Sequence, residues 1–273
     1  MKDVVSNFHN AIRRYCIERR LVCAIKYDEL RAAGRDRRGH GYTEEALSTF
    51  PKYLILDATL EQFERYRPEE FASLEDAKPF FKNVAGDTNL DERFKDGLEK
   101  KAIDEERVLL QGFIEWQSED TLPDVEPLFY RRVISEIEAK AVRQKLYEHW
   151  NVKDGYWFLL TEERPEQVEA FQDRHFETEV GSEKLVDMLA SGGVTRVWVL
   201  REGGPSYELD ASEIESYYYY SGGVESFWCD NNFDWIIYAS HEGSITIGGW
   251  LLADVEAAWA NWRERVWTSW DFE

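Results

Sequence analysis

The chain has 273 residues, with 33 Lys+Arg against 54 Asp+Glu for a formal net charge of −21, and it is 43% apolar and 15% aromatic. That apolar content is too high for a disordered chain, and the length exceeds the roughly 100–200 residues of an ordinary single domain, so two domains are expected. No stretch approaches the ~20 apolar residues of a bilayer span and the charged N-terminus lacks a signal-peptide core, so the cytoplasm is the expected compartment and a membrane partner is not expected.

Val4, Val5, Phe8, Ile12, Tyr15, Cys16 and Leu21 follow helical spacing, and the pattern continues through Ile25 and Leu30 to Gly34. After the loop "GRDRRGHGY", Thr43 is placed to cap a second helix, which Pro51 is expected to interrupt or restart. Ser73 with Asp76 three residues on signals a third helix, closed near Gly86, and residues 89–117 read as a fourth. Residues 1–117 are therefore expected to be all-helical. The segment 118–128, "SEDTLPDVEPL", combines two prolines with four acids and reads as a linker.

Beyond it, Ser135 and Glu138 form a capping box for a helix through His149, and "GYWFLL" at 155–160 reads as a strand. Short helices are expected around 165–175 and 182–190, the second closed by Gly192-Gly193. The period then changes to two. "TRVWVLRE", "SYELD", "VESFWCD", "FDWIIYAS" and "SITIGG" read as five short strands joined by tight turns, hence an antiparallel sheet. Leu251, Leu252, Val255, Trp259, Trp262 and Val266 recur at helical intervals and predict a terminal helix over one sheet face. The expected class is α+β: a helical N-terminal region, then an acidic α+β domain over 129–273 in which an antiparallel sheet packs against helices.

Charge is distributed unevenly. Residues 1–150 carry 25 Lys+Arg and 30 Asp+Glu, net −5, whereas residues 151–273 carry 8 and 24, net −16. The basic segment Arg31 to His40 could meet phosphates, but the surrounding 150 residues are net negative, so a solvated helix plus an exposed loop is the plainer reading, a docking surface for the acidic half is the next, and nucleic acid is not expected as a partner. Cys16 and Cys23 share the core-face spacing of one helix, and with Cys229 they are expected to be free thiols. The five histidines form no HExxH or HxH motif, and the Gly-Gly pairs lack phosphate-loop context; no metal and no cofactor are expected.

One stretch raises a catalytic question, because His241-Glu242 interrupts the apolar run "FDWIIYASHEGSITIGGWLL". The favoured reading is a hairpin bend with Gly243 supplying a positive φ; the alternative is a hydrolase site formed by His241, Glu242 and Asp234. Eight of the eleven tryptophans lie between Trp198 and Trp270. Most are expected in the core, while Tyr217, Tyr218, Tyr219 and Tyr220 with Trp267 and Trp270 are the candidates for an exposed binding surface.

The segment "FWCDNNFDWIIYASHEGSITIGGWLL" resembles the closing sheet of small acidic, Trp-rich bacterial proteins encoded beside toxins or phage-defence genes, over about residues 195–260. The resemblance implies an immunity- or antitoxin-like role and assigns no individual residue. The expected function is a non-enzymatic module that recognises a basic partner protein through an acidic aromatic face, with a hydrolase or a sensor or adaptor of phage components as alternatives.

Overall fold

The computed structural model describes residues 4–90, 94, 97–122, 126–152, 157, 165–214 and 225–268. The chain divides into two compact units, Met1–Leu128 and Phe129–Glu273. The class is α+β, helical first and sheet-based second, as the change of hydrophobic period predicts. Among the described residues no helix is long and apolar enough to cross a membrane.

The first unit contains α1 (Val4–Ala32), α2 (Glu44–Phe63), α3 (Leu74–Asp87) and α4 (Gly97–Trp116). The capping signals act as expected: the Ala46 N–H donates to Thr43 Oγ1 at 3.2 Å and the Asp76 N–H to Ser73 Oγ at 3.3 Å, each satisfying a donor that has no partner within its own helix. Pro51 neither interrupts nor restarts α2, which runs through it with the ring buried. Burying that ring offsets the one backbone donor the proline lacks. The loop before α2 is a small hairpin of β1 (Arg37–Arg38) and β2 (Gly41–Tyr42), tied down by the Thr43 N–H donating to the Asp36 carbonyl.

Phe8, Ile12 and Cys16 of α1, Leu56, Leu60 and Phe63 of α2, Phe81 of α3, and Leu110 and Ile114 of α4 meet in one core. Phe81 is its hub, contacting the rings of Phe8, His9 and Phe63. A buried ion pair, Arg13 with Glu64 at 3.1 Å, crosses this core, and the partly exposed Arg19 reaches the buried Glu106 at 2.7 Å. The described part of 118–128, read from its prolines as a linker, belongs to the helical unit: Leu122 packs on the core and the Leu128 N–H reaches Asn10 Oδ1 of α1 at 3.2 Å.

The second unit is a seven-stranded sheet in the order β3 (Arg131–Val133), β6 (Tyr207–Asp210), β5 (Arg196–Arg201), β7 (Ser226–Cys229), β8 (Trp235–Ser240), β9 (Ser244–Gly249), β4 (Val168–Gln172). Every pairing is antiparallel. One face packs on α5 (Glu136–Trp150) through Leu146, Trp150, Leu200, Phe227 and Ile236. The other packs on α6 (Asp173–Glu179), α7 (Gly181–Ser191) and α8 (Trp250–Ala258) through Phe176, Leu189, Trp228, Ile237, Ile247 and Val255. Covering both faces explains why "SFWC" and "SITIGG" are buried at every position instead of alternating.

Two expectations about this unit change. Residues 168–172, read as part of a helix, form the edge strand β4 on β9. The predicted strand at 155–160 lies outside the described residues except for Trp157, which is buried in the core. The terminal helix stops at Ala258, and the chain turns back so that Val266 bridges Phe171 and the Trp267 N–H donates to the Ala170 carbonyl. Apolar spacing alone could not distinguish that return along β4 from two further helical turns.

Candidate functional site

The hairpin reading of the central stretch holds. β8 and β9 pair from Trp235↔Gly249 to Ser240↔Ser244, leaving His241, Glu242 and Gly243 as the connection. Gly243 has φ 76°, the left-handed geometry that closes a three-residue hairpin loop and favours glycine. Its N–H donates to the Ser240 carbonyl, and its own carbonyl accepts from the Asp173 N–H at 3.1 Å.

The bend nevertheless gathers polar groups. His241 Nδ1 lies 2.7 Å from Glu225 Oε1, and Nε2 lies 3.2 Å from Glu242 Oε1. Ser240 Oγ donates to the same Glu225 oxygen at 3.0 Å and accepts from the Glu242 N–H at 3.1 Å. Glu225, just before β7, has a side chain only 4% exposed. Burial, followed by the hydrogen bond and charge of Glu225, pushes the Tyr238 phenol far above its ordinary range. Sequence reading missed Glu225, which is brought beside the bend by the β7–β8 register that sets Ser226 opposite Ala239.

These contacts tie the bend to the residue that precedes β7. Both imidazole nitrogens face carboxylate oxygens. Asp234, the proposed third member, sits at the opposite end of β8, seven residues away and hence about 23 Å along an extended strand. There it anchors the start of α8: its Oδ1 accepts from Trp250 Nε1 at 3.2 Å and its carbonyl from the Trp250 N–H. His241 and Glu242 are brought together; Asp234 is not.

The cysteines are free and buried. Burial pushes the Cys16, Cys23 and Cys229 thiols up, which suppresses the thiolate that nucleophilic chemistry needs. Among the described residues, no group of three or more His, Cys, Asp or Glu could hold a metal ion.

Of the aromatic candidates, Tyr217 to Tyr220 and Trp270 lie outside the described residues. Trp267, expected on the surface, is 7% exposed and belongs to the cluster under α5, because the returning backbone beside β4 turns its ring inward. The basic segment runs from the last turn of α1 into the exposed β1–β2 hairpin and is partly neutralised within its own neighbourhood: Arg35 pairs with Glu45 at 2.5 Å, Arg31 faces Asp28 at 3.8 Å, and Arg37 stands over the Tyr42 ring at 5.0 Å.

The second unit does present a concave surface of a different kind. A groove between α7 and α8 is lined by Lys184, Asp187, Met188, Ser191, Asp254 and Ala258. Glu177 and Glu183 are exposed on the same helical layer. Its lining combines two carboxylates and one ammonium with a small apolar floor. Comparison of the chain with family models, with curated proteins and with solved structures finds no match.

Proposed function

We propose that this protein is a non-enzymatic protein-binding module whose α+β unit captures a basic partner protein, in the manner of an immunity or antitoxin protein of a toxin or phage-defence locus. The observation that carries the reading is charge: residues 129–273 hold 13 Lys+Arg against 27 Asp+Glu, net −14. A surface of that sign attracts basic proteins and repels nucleic acid phosphates. The α7–α8 groove is the proposed contact, with Asp187 and Asp254 as its carboxylates. Three free buried thiols agree with action in a reducing compartment such as the cytoplasm.

The test is capture from lysate of the source cells by the tagged full chain at ~0.05 and ~0.5 M salt, where the screening length falls from about 14 to about 4 Å. Wild type should retain one basic protein at low salt. The double variant Asp187→Lys, Asp254→Lys should lose it, and high salt should weaken it in the same way. Equal capture by wild type and variant, or turnover of a small substrate with no partner retained, would overturn the reading.

A further inference from the structure

β4 is an outer strand of the described sheet, and an outer strand carries a row of backbone donors and acceptors that another chain can pair with. Its register on β9 decides which residues carry them. The Gly249 N–H reaches the Gln167 carbonyl and the Asp173 N–H the Gly243 carbonyl, so odd-numbered positions bond to β9 while Val168, Ala170 and Gln172 turn their backbone groups to the other side. Both Ala170 groups are covered by the chain itself. Its N–H donates to Glu169 Oε1 at 3.0 Å, and its carbonyl accepts from the Trp267 N–H at 2.8 Å.

The covering segment, residues 259–267, sits on this edge more as a ligand does than as an eighth strand. β4 pairs with β9 over five residues, whereas among the described residues the segment pairs with β4 at one bridge, Val266 with Phe171. Its middle is a 3-10 turn, Trp262–Arg265, in which no residue is buried. Side chains that straddle the edge hold it in place. Trp267 enters the cluster under α5, while Trp259 meets the Phe171 ring at 5.2 Å in the core of the opposite face. Glu179, the last residue of α6, clamps the segment at two points, accepting from Trp259 Nε1 at 2.8 Å and pairing with Arg265 Nε at 3.0 Å. A segment with two aromatic anchors, an ionic clamp and an exposed middle belongs to the part of a structure that opens without global unfolding.

We infer that residues 259–267 are an autoinhibitory strap over a strand-acceptor site: once the strap lifts, the β4 edge takes an extended peptide segment with a basic, a β-branched and an aromatic residue in the order of Arg265, Val266 and Trp267. The basic residue of that segment meets Glu179, the aromatic ring fills the slot of Trp267, and the aromatic residue's N–H meets the Ala170 carbonyl. Strand addition of this kind draws affinity from backbone bonds and selectivity from alternate side chains. The tethered strap competes at an effective concentration on the order of millimolar, which masks the site from a free segment of the same sequence. The site is separate from the α7–α8 groove and uses neither Asp187 nor Asp254.

The test titrates the full-length protein into a fluorescein-labelled peptide with the sequence of residues 261–268 and reads anisotropy. Arg265→Ala with Trp267→Ala, which loosens the strap and leaves β4 and Glu179 intact, should bind the peptide at least tenfold more tightly than wild type does. In that background Glu179→Gln should weaken binding at least threefold, and a peptide with alanine in place of the tryptophan that corresponds to Trp267 should bind at least tenfold less tightly. Amide hydrogen exchange of the wild-type chain supplies a reading that does not depend on any variant folding: the Trp267 amide should exchange at least a hundredfold faster than the amides of β8. Equal peptide binding by wild type and the loosened variant, indifference to the loss of the peptide's tryptophan, or protection of the Trp267 amide equal to that of β8 would overturn the inference. A loosened variant that forms a dimer in sedimentation and binds no peptide would also overturn it, assigning the edge to a second copy of the chain.

Discussion

Lowering the pH should destabilise the helical unit through one residue, His9. Its ring is buried in the α1–α2–α3 core, with Nε2 donating to the Phe63 carbonyl at 3.1 Å and the Phe81 ring centroid at 5.4 Å. Burial first, then the nearby Arg13 charge, lowers its pKa from the ordinary 6.5 to about 4, against a smaller opposing effect of the Phe63 carbonyl. The unfolded chain therefore takes up the proton first as pH falls. The stabilisation is fully present above about pH 6.5 and is lost as pH falls towards 4. Integrating between those pKa values gives a loss of about 2 kcal/mol by pH 5 and about 3 kcal/mol by pH 4, relative to pH 7. Urea unfolding followed at 222 nm, for wild type and His9→Gln at pH 7 and pH 5, isolates the effect, because carboxylate titration is common to both proteins. Whatever packing His9→Gln costs at pH 7 cancels in the comparison. Wild type should lose about 2 kcal/mol more than the variant between the two values. Parallel pH dependence of the two proteins would refute the argument.

Three further outcomes are expected. Gly249→Ala should cost about 3 kcal/mol or more in thermal or urea unfolding: with φ 72° and ψ −151° the backbone is in a glycine-only region, and an added Cβ would stand 1.9 Å from the Asp234 carbonyl oxygen. Glu64→Gln should cost about 3 kcal/mol by removing the carboxylate charge that pairs with the buried Arg13 guanidinium, and the double variant Arg13→Met, Glu64→Gln should recover part of that loss in the same assay. Gly112→Ala should raise the urea midpoint, by about 0.5–1 kcal/mol of stability, because the site is exposed, helical and sterically open.

What was legible in the sequence was whatever a few neighbouring residues decide among themselves. Thr43, Ser73 and Ser135 each accept from the backbone N–H three residues on, so these helix starts needed only local chemistry. The β8–β9 hairpin was equally local: two apolar runs, a three-residue bend, and a glycine where positive φ is required. Burial of the edge strand β4 was not local, since Val168–Gln172 is held by pairing with Ser244–Gly248, more than seventy residues away, and its own spacing fits a helix as well. Trp267 followed the pattern of an exposed tail, and only the bridge of Val266 to Phe171 turns it inward. The candidate site divides the same way. The adjacency of His241 and Glu242 was visible, but the partner that occupies His241 Nδ1 is Glu225, delivered by β7–β8 register, while Asp234 is removed by the length of the strand between them. Capping and turn chemistry act within about four residues, whereas strand partners and buried charge pairs are chosen by which distant surfaces exclude water together; that selection belongs to the tertiary structure.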